Sequence, residues 1–324
     1  MSKRQKAMVN RLDEILNQKN KPCAVMDIGT NSTRMLIFRE DQGDLVRINK
    51  SVRYTRMGQG VNEGKLLHPD AMKRNTEALE EFLRIATDYE VQDFYIFGTS
   101  AMRDAGNTAE YQQSVKERLD LDVVVIGGEE EAQLGFMGVS QCFDEKVLVF
   151  DIGGGSTEFI LGEKNRIEQM MSLNMGCVRG TESFLHDDPP TRAQMDALNA
   201  KISQELQDKV KSIIPAESYK LVGIGGTATS LSTIQQRLDI YDSEKVHQSL
   251  ITRLELEGII AELSQKTIAQ RQKIAGLEAK RADIILAGAM ILHNILRATG
   301  KFSFTVCDYD NLEGAAFKHF IDKK

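Results

Sequence analysis

Asp27-Ile28-Gly29-Thr30-Asn31-Ser32-Thr33 recurs 124 residues later (151 − 27) as Asp151-Ile152-Gly153-Gly154-Gly155-Ser156-Thr157. The copies agree at Asp, Ile, the first Gly, Ser and Thr. Each is entered by an apolar run, Ala24-Val25-Met26 or Val147-Leu148-Val149-Phe150, and left by another, Met35-Leu36-Ile37-Phe38 or Phe159-Ile160-Leu161. Short apolar runs bounded by small turn residues predict strands, so each copy predicts a hairpin with its turn in the Gly-Ser-Thr segment. A supersecondary unit repeated at a fixed offset is the mark of a duplicated architecture. The expectation is two lobes, each presenting one turn to a shared cleft.

The composition of these turns suits phosphate. Glycine and small hydroxyl residues let successive backbone N–H groups point inward, forming an anion-binding nest, and Ser and Thr hydroxyls add uncharged donors. An Asp at the end of the preceding strand is placed to hold a hydrated divalent cation beside those phosphates. One such turn would be weak evidence; two, with the acid in register, point to function.

Outward from the repeat, strand-like runs at 22–28, 33–40 and 44–54 form a meander, the last two joined by Asp41-Gln42-Gly43. Ala71, Leu79, Phe82, Leu83 and Ala86 predict a helix from His68 to Tyr89, and Phe94-Tyr95-Ile96-Phe97 a buried strand. After Gln141 the series restarts with strands at 147–150, 158–161 and 167–173, a long helix at 192–214 and a strand at 219–224. The chain is then mostly helical through Leu296, with a late strand near 302–306. Alternating strands and helices predict an α/β protein. Ala7, Met8, Leu12, Ile15 and Leu16 predict an amphipathic helix over residues 3–18, and Ile284 to Leu296 reads as a core helix that could also support a homodimer.

Composition narrows the function. The 324 residues are 41% hydrophobic and 27% charged, enough to bury a core and to exclude disorder as the main state. A formal charge of −6 lacks the footprint of a duplex nucleic-acid binder, so an anionic ligand must be met by a local basic site. No run of eighteen apolar residues predicts a membrane span, and the basic opening MSKRQKAMVNRL lacks the apolar stretch of a secretory signal, so a cytoplasmic protein is expected. Cys23, Cys142, Cys177 and Cys307 are far apart with no CxxC, which predicts reduced, buried thiols rather than a disulfide frame or zinc site. Five scattered histidines, without HxH or HExxH, argue against a histidine-built metal centre. No GxxxxGK[ST] is present, which removes the Walker loop. Gly223-Ile224-Gly225-Gly226-Thr227-Ala228 spells GxGxxA after a strand, and reads as a third phosphate- or nucleotide-side loop or as a plain strand-to-helix turn.

From about Pro22 onward the chain resembles the exopolyphosphatase and guanosine pentaphosphate phosphatase (Ppx/GppA) family, in its short two-domain form. The carriers are AVMDIGTNSTRMLIF (24–38), TRMGQGV (55–61), FGTSAMRDAGN (97–107), GGEEEAQLGFMGV (127–139), VLVFDIGGGSTEF (147–159), NMGCVRGTESF (174–184), LVGIGGTATSL (221–231), KRADIILAGAMIL (280–292) and CDYDNLEGA (307–315). The resemblance implies two ribonuclease H-like domains of the actin, sugar kinase and heat-shock ATPase type around a central cleft. The expected division is 1–129 plus 309–324 for the first and 130–308 for the second.

The same resemblance implies roles. Asn31, Ser32 and Gly153, Gly154, Gly155, Ser156 and Thr157 match phosphate-cradling positions, and Arg103 matches a phosphate-binding arginine, a role guanidinium suits because it binds phosphate bidentately. Glu131 matches the catalytic base, Glu129 and Glu130 being helix-dipole partners, while Asp151 and Glu158 match acids beside the metal, Mg²⁺ or Mn²⁺, and the attacking water. Arg56, Arg179 and Arg281 are further candidates for steering a polyanion; His186-Asp187 reads as a solvated loop. Gln133 stands where many members of that family have Arg, and Leu312 where its closing motif usually has Arg. The implied function is hydrolysis of terminal phosphoanhydride bonds of linear polyphosphate. The alternatives are removal of a phosphate from guanosine pentaphosphate, or a weakly catalytic nucleotide- or polyphosphate-binding regulator; a kinase is also open on fold alone.

Overall fold

The computed structural model describes residues 21–207 and 209–322; the helix expected over 3–18 lies outside them. Two sheets organise the chain. The first holds β1 (Cys23–Ile28), β2 (Thr33–Asp41), β3 (Asp44–Arg53), β4 (Asp93–Gly98) and β5 (Val123–Val125) in the order β3-β2-β1-β4-β5. The second holds β6 (Lys146–Ile152), β7 (Thr157–Glu163), β8 (Arg166–Leu173), β9 (Lys220–Ile224), β10 (Leu250–Thr252) and β11 (Ser303–Val306) in the order β10-β11-β9-β6-β7-β8.

The sheets repeat one topology. β1, β2 and β3 form an antiparallel meander and β4 and β5 add in parallel beyond β1. Likewise β6, β7 and β8 form a meander, β9 and β11 add in parallel beyond β6, and β10 closes the edge antiparallel. This is the duplicated ribonuclease H-like order, and the hairpin quoted above is its first turn in both sheets.

The apolar runs are continuous because both faces of the central strands are covered. Ala24, Met26 and Ile28 of β1 pack with Leu79, Phe82 and Ala86 of α1 (Pro69–Asp88), whereas Val25 turns to the opposite face and joins Leu134, Leu312 and Ala315. In β6, Leu148 and Phe150 face Leu286 and Ile291, while Val147 and Val149 face Ala132, Phe136 and Val139. The expected core helix, Ile285–Thr299, is thus buried within the second sheet's own core. Leu312, one of the two departures, is fully buried as a core residue.

One helix therefore serves both sheets. α3 (Gly128–Ser140), which follows α2 (Ser100–Asp104), gives Leu134 to the first sheet's core and Ala132, Phe136 and Val139 to the second's. It crosses the last α-helix, Asn311–Ala316, in backbone contact: a β-carbon on Gly314 would lie 1.7 Å from the Leu134 carbonyl oxygen, so only glycine fits. That last helix is fixed by a capping box in which Asp310 accepts from the Leu312 N–H at 3.0 Å and Glu313 accepts from the Asp310 N–H at 2.9 Å.

The helix expected over 192–214 is found over Arg192–Gln207 and Lys209–Ile213, and the short strands β5 and β10 are additional to those the sequence predicts. Three-residue strands are too short to display a period.

Candidate active site

Each turn is closed by the same bond: Gly29 N–H donates to the Ser32 carbonyl, and Gly153 N–H to the Ser156 carbonyl, both at 3.0 Å. The registers also match, with Asp27 opposite Arg34 in β1/β2 and Asp151 opposite Glu158 in β6/β7. The turns meet face to face. A β-carbon on Gly154 would lie 2.7 Å from the Thr30 β-carbon, and one on Gly155 would lie 2.1 Å from Ser100 Oγ at the start of α2. Any side chain at Gly154 would therefore push the turns apart, because real β-carbons do not approach so closely.

A cavity of about 70 Å³ lies between the turns. It is walled by Asn31, Ser32, Glu131, Asp151 and Gly153 to Ser156, together with Asp27, Arg34 and Asn311. Gly225, Gly226 and Thr227, at the start of α4 (Gly225–Gln236), form a third wall, so the GxGxxA segment is a strand-to-helix turn that also faces the site. Arg34, Gly225, Gly226 and Arg281 are shared with an adjoining cavity of about 390 Å³ that runs past Lys50, Tyr54 and Tyr241.

Three of the expected site residues stand behind this lining. Arg103 Nη1 donates to the Ile126 carbonyl at 2.9 Å and meets Glu131 Oε2 at 3.2 Å, so it holds the acid rather than the cavity wall. Thr157 Oγ1 donates to the Met175 carbonyl at 2.5 Å. Glu158 is buried, with Oε1 accepting from Ser172 Oγ at 2.7 Å. Of the outlying arginines, Arg281 lines both cavities, and Arg56 and Arg179 clamp the lobes together: Arg56 pairs with Asp283 at 2.8 Å, and Arg179 pairs with Asp104 at 2.7 Å while donating to the Gly155 carbonyl at 2.9 Å.

Charge inside the site is unbalanced. Arg34 spans Asp27 and Asp310, donating to Asp27 from Nε at 3.1 Å and to Asp310 from Nη1 at 2.5 Å. Burial alone would raise the Asp310 carboxyl, but Arg34 and Lys50 outweigh it and hold the group below the usual carboxylate range. Among the described residues no cation forms an ion pair with Asp151 or Glu158 of the other hairpin, although the Arg34 and Arg103 charges act on them from a distance. Burial, then the Asp151 charge, push Glu158 up to about 7; burial, with Glu158 second and Arg103 opposing, raises Glu131 well above its ordinary value. Asp151 is raised well above by burial, with Arg34 opposing and Asp310, Glu131 and Asp27 adding to it.

Several buried polar atoms here also lack a hydrogen-bond partner: Asp27 Oδ1, Asn31 Nδ2, Glu158 Oε2 and Asn311 Oδ1. Buried orphans of this kind are rare and mark a missing ligand or ion. Carboxylate oxygens without partners, beside acids that resist ionising together, form the donor set of a hard divalent cation. The orphan amide is a donor left for an anion.

The family model for the Ppx/GppA phosphatase family matches residues 36–320. The chain belongs to the Ppx/GppA phosphatase family. It is 36% identical over 317 residues to the bifunctional 3-dehydroquinate synthase/phosphatase of Fusobacterium nucleatum, covering 93% of this chain and 47% of that protein, so it spans about half that relative's length. It is 31% identical over 309 residues to exopolyphosphatase 2 of Mycobacterium tuberculosis, covering 90% of this chain and 97% of that protein. The guanosine-5′-triphosphate,3′-diphosphate pyrophosphatase of Aliivibrio fischeri is 30% identical over 298 residues, 91% of this chain and 58% of that one. The crystal structure of the Aquifex aeolicus Ppx/GppA family member superposes with a TM-score of 0.79 at 29% identity, covering 94% of this chain and 99% of that one. As a Ppx/GppA phosphatase this protein is a phosphoanhydride hydrolase, and the duplicated sheets are the fold of its family. Among the described residues no helix is long and apolar enough to cross a membrane.

Arg34 escaped the sequence reading although the repeat contained it: it stands where the second copy has Glu158, 124 residues on. Asn311 carried no signal, since only the crossing of α3 and the last helix brings it to the cavity.

Proposed function

We propose that this Ppx/GppA phosphatase cleaves terminal phosphoanhydride bonds of linear inorganic polyphosphate, releasing orthophosphate. The reading rests on the paired cavities. The inner one, at about 70 Å³ and walled by the two turns and Glu131, is suited to a terminal phosphoryl group and its attacking water. The outer one, sharing Arg34 and Arg281, would take the rest of an extended anion.

In this reading the backbone N–H groups of Gly153 to Ser156, with Asn31 and Ser32, cradle the terminal phosphoryl oxygens. Glu131 accepts a proton from the water in line with the scissile bond, and Arg103 keeps that carboxylate aimed and opposes the rise in its pKa. Arg281 and Lys50 face the trailing phosphates. Asp151 and Glu158 would hold Mg²⁺ or Mn²⁺, whose charge offsets that of the phosphoryl oxygens. The domains proposed to close on the substrate are 1–129 with 309–324, and 130–308.

A second reading, removal of phosphate from guanosine pentaphosphate, draws on the outer cavity. At about 390 Å³, with Tyr54, Leu238, Tyr241 and Leu277 on its walls, it is large and apolar enough for a base and sugar. Both are tested by orthophosphate release from long-chain polyphosphate, guanosine pentaphosphate and ATP in parallel, with the Glu131→Gln variant as control. The main reading expects the highest kcat/KM on polyphosphate and a loss of about 100- to 10,000-fold in the variant. A preference for the pentaphosphate selects the second reading, and full activity of the variant removes Glu131 as base.

A further inference from the structure

Three residues remote in sequence meet at the far end of the helix that carries Glu131. Cys142 follows the C-terminus of α3, His247 precedes β10, and Cys307 follows β11. Their spacing reads as isolated thiols and a stray imidazole, yet one donor atom from each lies within 4.8 Å of the other two. Cys307 is fully buried, whereas Cys142 and His247 are half-buried and open toward solvent.

Donors bound to a single zinc ion at about 2.0–2.3 Å sit roughly 3.5–3.8 Å apart. The spacing here needs only side-chain adjustment to reach that geometry. Each donor is carried on anchored backbone: Cys142 N–H donates to the Val139 carbonyl at 2.8 Å, His247 N–H to the Ser243 carbonyl at 2.8 Å, and Cys307 N–H to the Gly223 carbonyl at 2.9 Å. His247 Nδ1 accepts the Asp308 N–H at 3.2 Å, which holds the imidazole beside the Cys307 segment. Two sulfurs and one imidazole nitrogen form a soft donor set that disfavours Mg²⁺ and favours Zn²⁺.

We propose that Cys142, His247 and Cys307 form a binding site for a thiophilic divalent cation, Zn²⁺ by donor chemistry, with a water in the fourth position. The site is separate from the oxygen donors of the cleft. Its place in the fold gives it a structural part. Cys142 terminates the helix whose first turn carries Glu131, and Cys307 begins the segment in which Asp308 pairs with Arg47, Asp310 pairs with Arg34 and Asn311 lines the inner cavity. A cation here ties the two crossing elements together from behind, away from the substrate.

The test uses the full chain, stripped with chelator under reductant and titrated with Co²⁺. The expected result is a thiolate-to-cobalt charge-transfer band saturating at one equivalent, displaced by Zn²⁺ and not by Mg²⁺. Oxygen donors at Asp151 and Glu158 produce no such band, so the outcome is independent of the phosphatase reading. The band should be lost in Cys307→Ser and in the half-buried, less disruptive Cys142→Ser, and weakened at least tenfold in affinity in His247→Ala, with circular dichroism confirming that each variant is folded. Absence of the band in reduced wild-type protein overturns the proposal, as does an unchanged band in folded Cys142→Ser. Zinc-free protein carrying a Cys142–Cys307 disulfide overturns it in favour of a redox pair.

Discussion

Arg34 and Glu158 occupy the same position in the two hairpins, opposite Asp27 and Asp151 respectively, and carry opposite charge. The duplicated scaffold is thereby made chemically unequal. In the first copy the aspartate is ion-paired within the protein; in the second, two acids stand opposite each other and burial raises both above their ordinary values.

Replacing Arg34 exposes what it balances. Arg34→Met keeps the length of the side chain but leaves Asp27 and Asp310 buried without their guanidinium, and removing one partner of a buried pair costs about 3–5 kcal/mol. Urea unfolding should show a loss of that order. A shift below about 1 kcal/mol would mean that water reaches the two carboxylates and the pairing carries no stability.

Glu158 predicts a pH dependence of stability. Its folded value is about 7 against an ordinary 4.5, so the folded state holds the proton more tightly. The stabilising contribution is complete below about pH 4.5 and is lost as pH rises through 7, by up to about 3 kcal/mol. Glu158→Gln should remove this slope, gaining most over wild type near pH 8 and least near pH 5. Added Mg²⁺ should raise the wild-type Tm more at pH 8 than at pH 5, since protons compete for the same oxygens, and this difference should shrink in the variant. Thermal melts at both pH values check all three expectations.

Arg103 acts through Glu131, and a pH–rate profile separates that role from a structural one. Burial and Glu158 raise Glu131, and Arg103 is the cation opposing them. Arg103→Met should lower kcat and move the acidic limb of kcat to higher pH, while Arg103→Lys restores most of the position of that limb. A uniform fall in kcat with an unmoved limb would assign Arg103 to packing or substrate contact.

Contact between the turns can be tested by size. Gly154→Ala places its β-carbon 2.7 Å from that of Thr30, which should part the turns and raise KM for polyphosphate by about tenfold, the equivalent of roughly 1.4 kcal/mol. Adding Thr30→Gly removes the opposing atoms and should recover part of the loss. No recovery in the double variant would place the damage on the Val178 side, 3.2 Å from the same β-carbon.

Strands buried on both faces were legible because continuous apolar runs such as Val147 to Phe150 leave an unbroken trace, while the partly exposed β3 and β8 were legible as continuations of the meanders. β5 and β10, three residues each, are strands only because neighbours supply their hydrogen bonds. The candidate site divides similarly. Asp27, Asp151 and the turn residues announce themselves by repetition, whereas Glu131 is singled out only by the family resemblance, since Glu129 and Glu130 share its place in the helix's first turn. The partnership of Arg34 with Asp310, 276 residues away, has no local signature.

From its sequence alone this protein is a duplicated α/β phosphate binder, since hydrophobic period and turn chemistry are local properties and were written twice. Which acids are neutralised, which remain short of a counter-charge, and that Cys142, His247 and Cys307 stand together follow from the crossing of α3 and the Asn311–Ala316 helix. Electrostatic and metal-ligand chemistry act over a few ångströms of space, and only the folded chain fixes those distances.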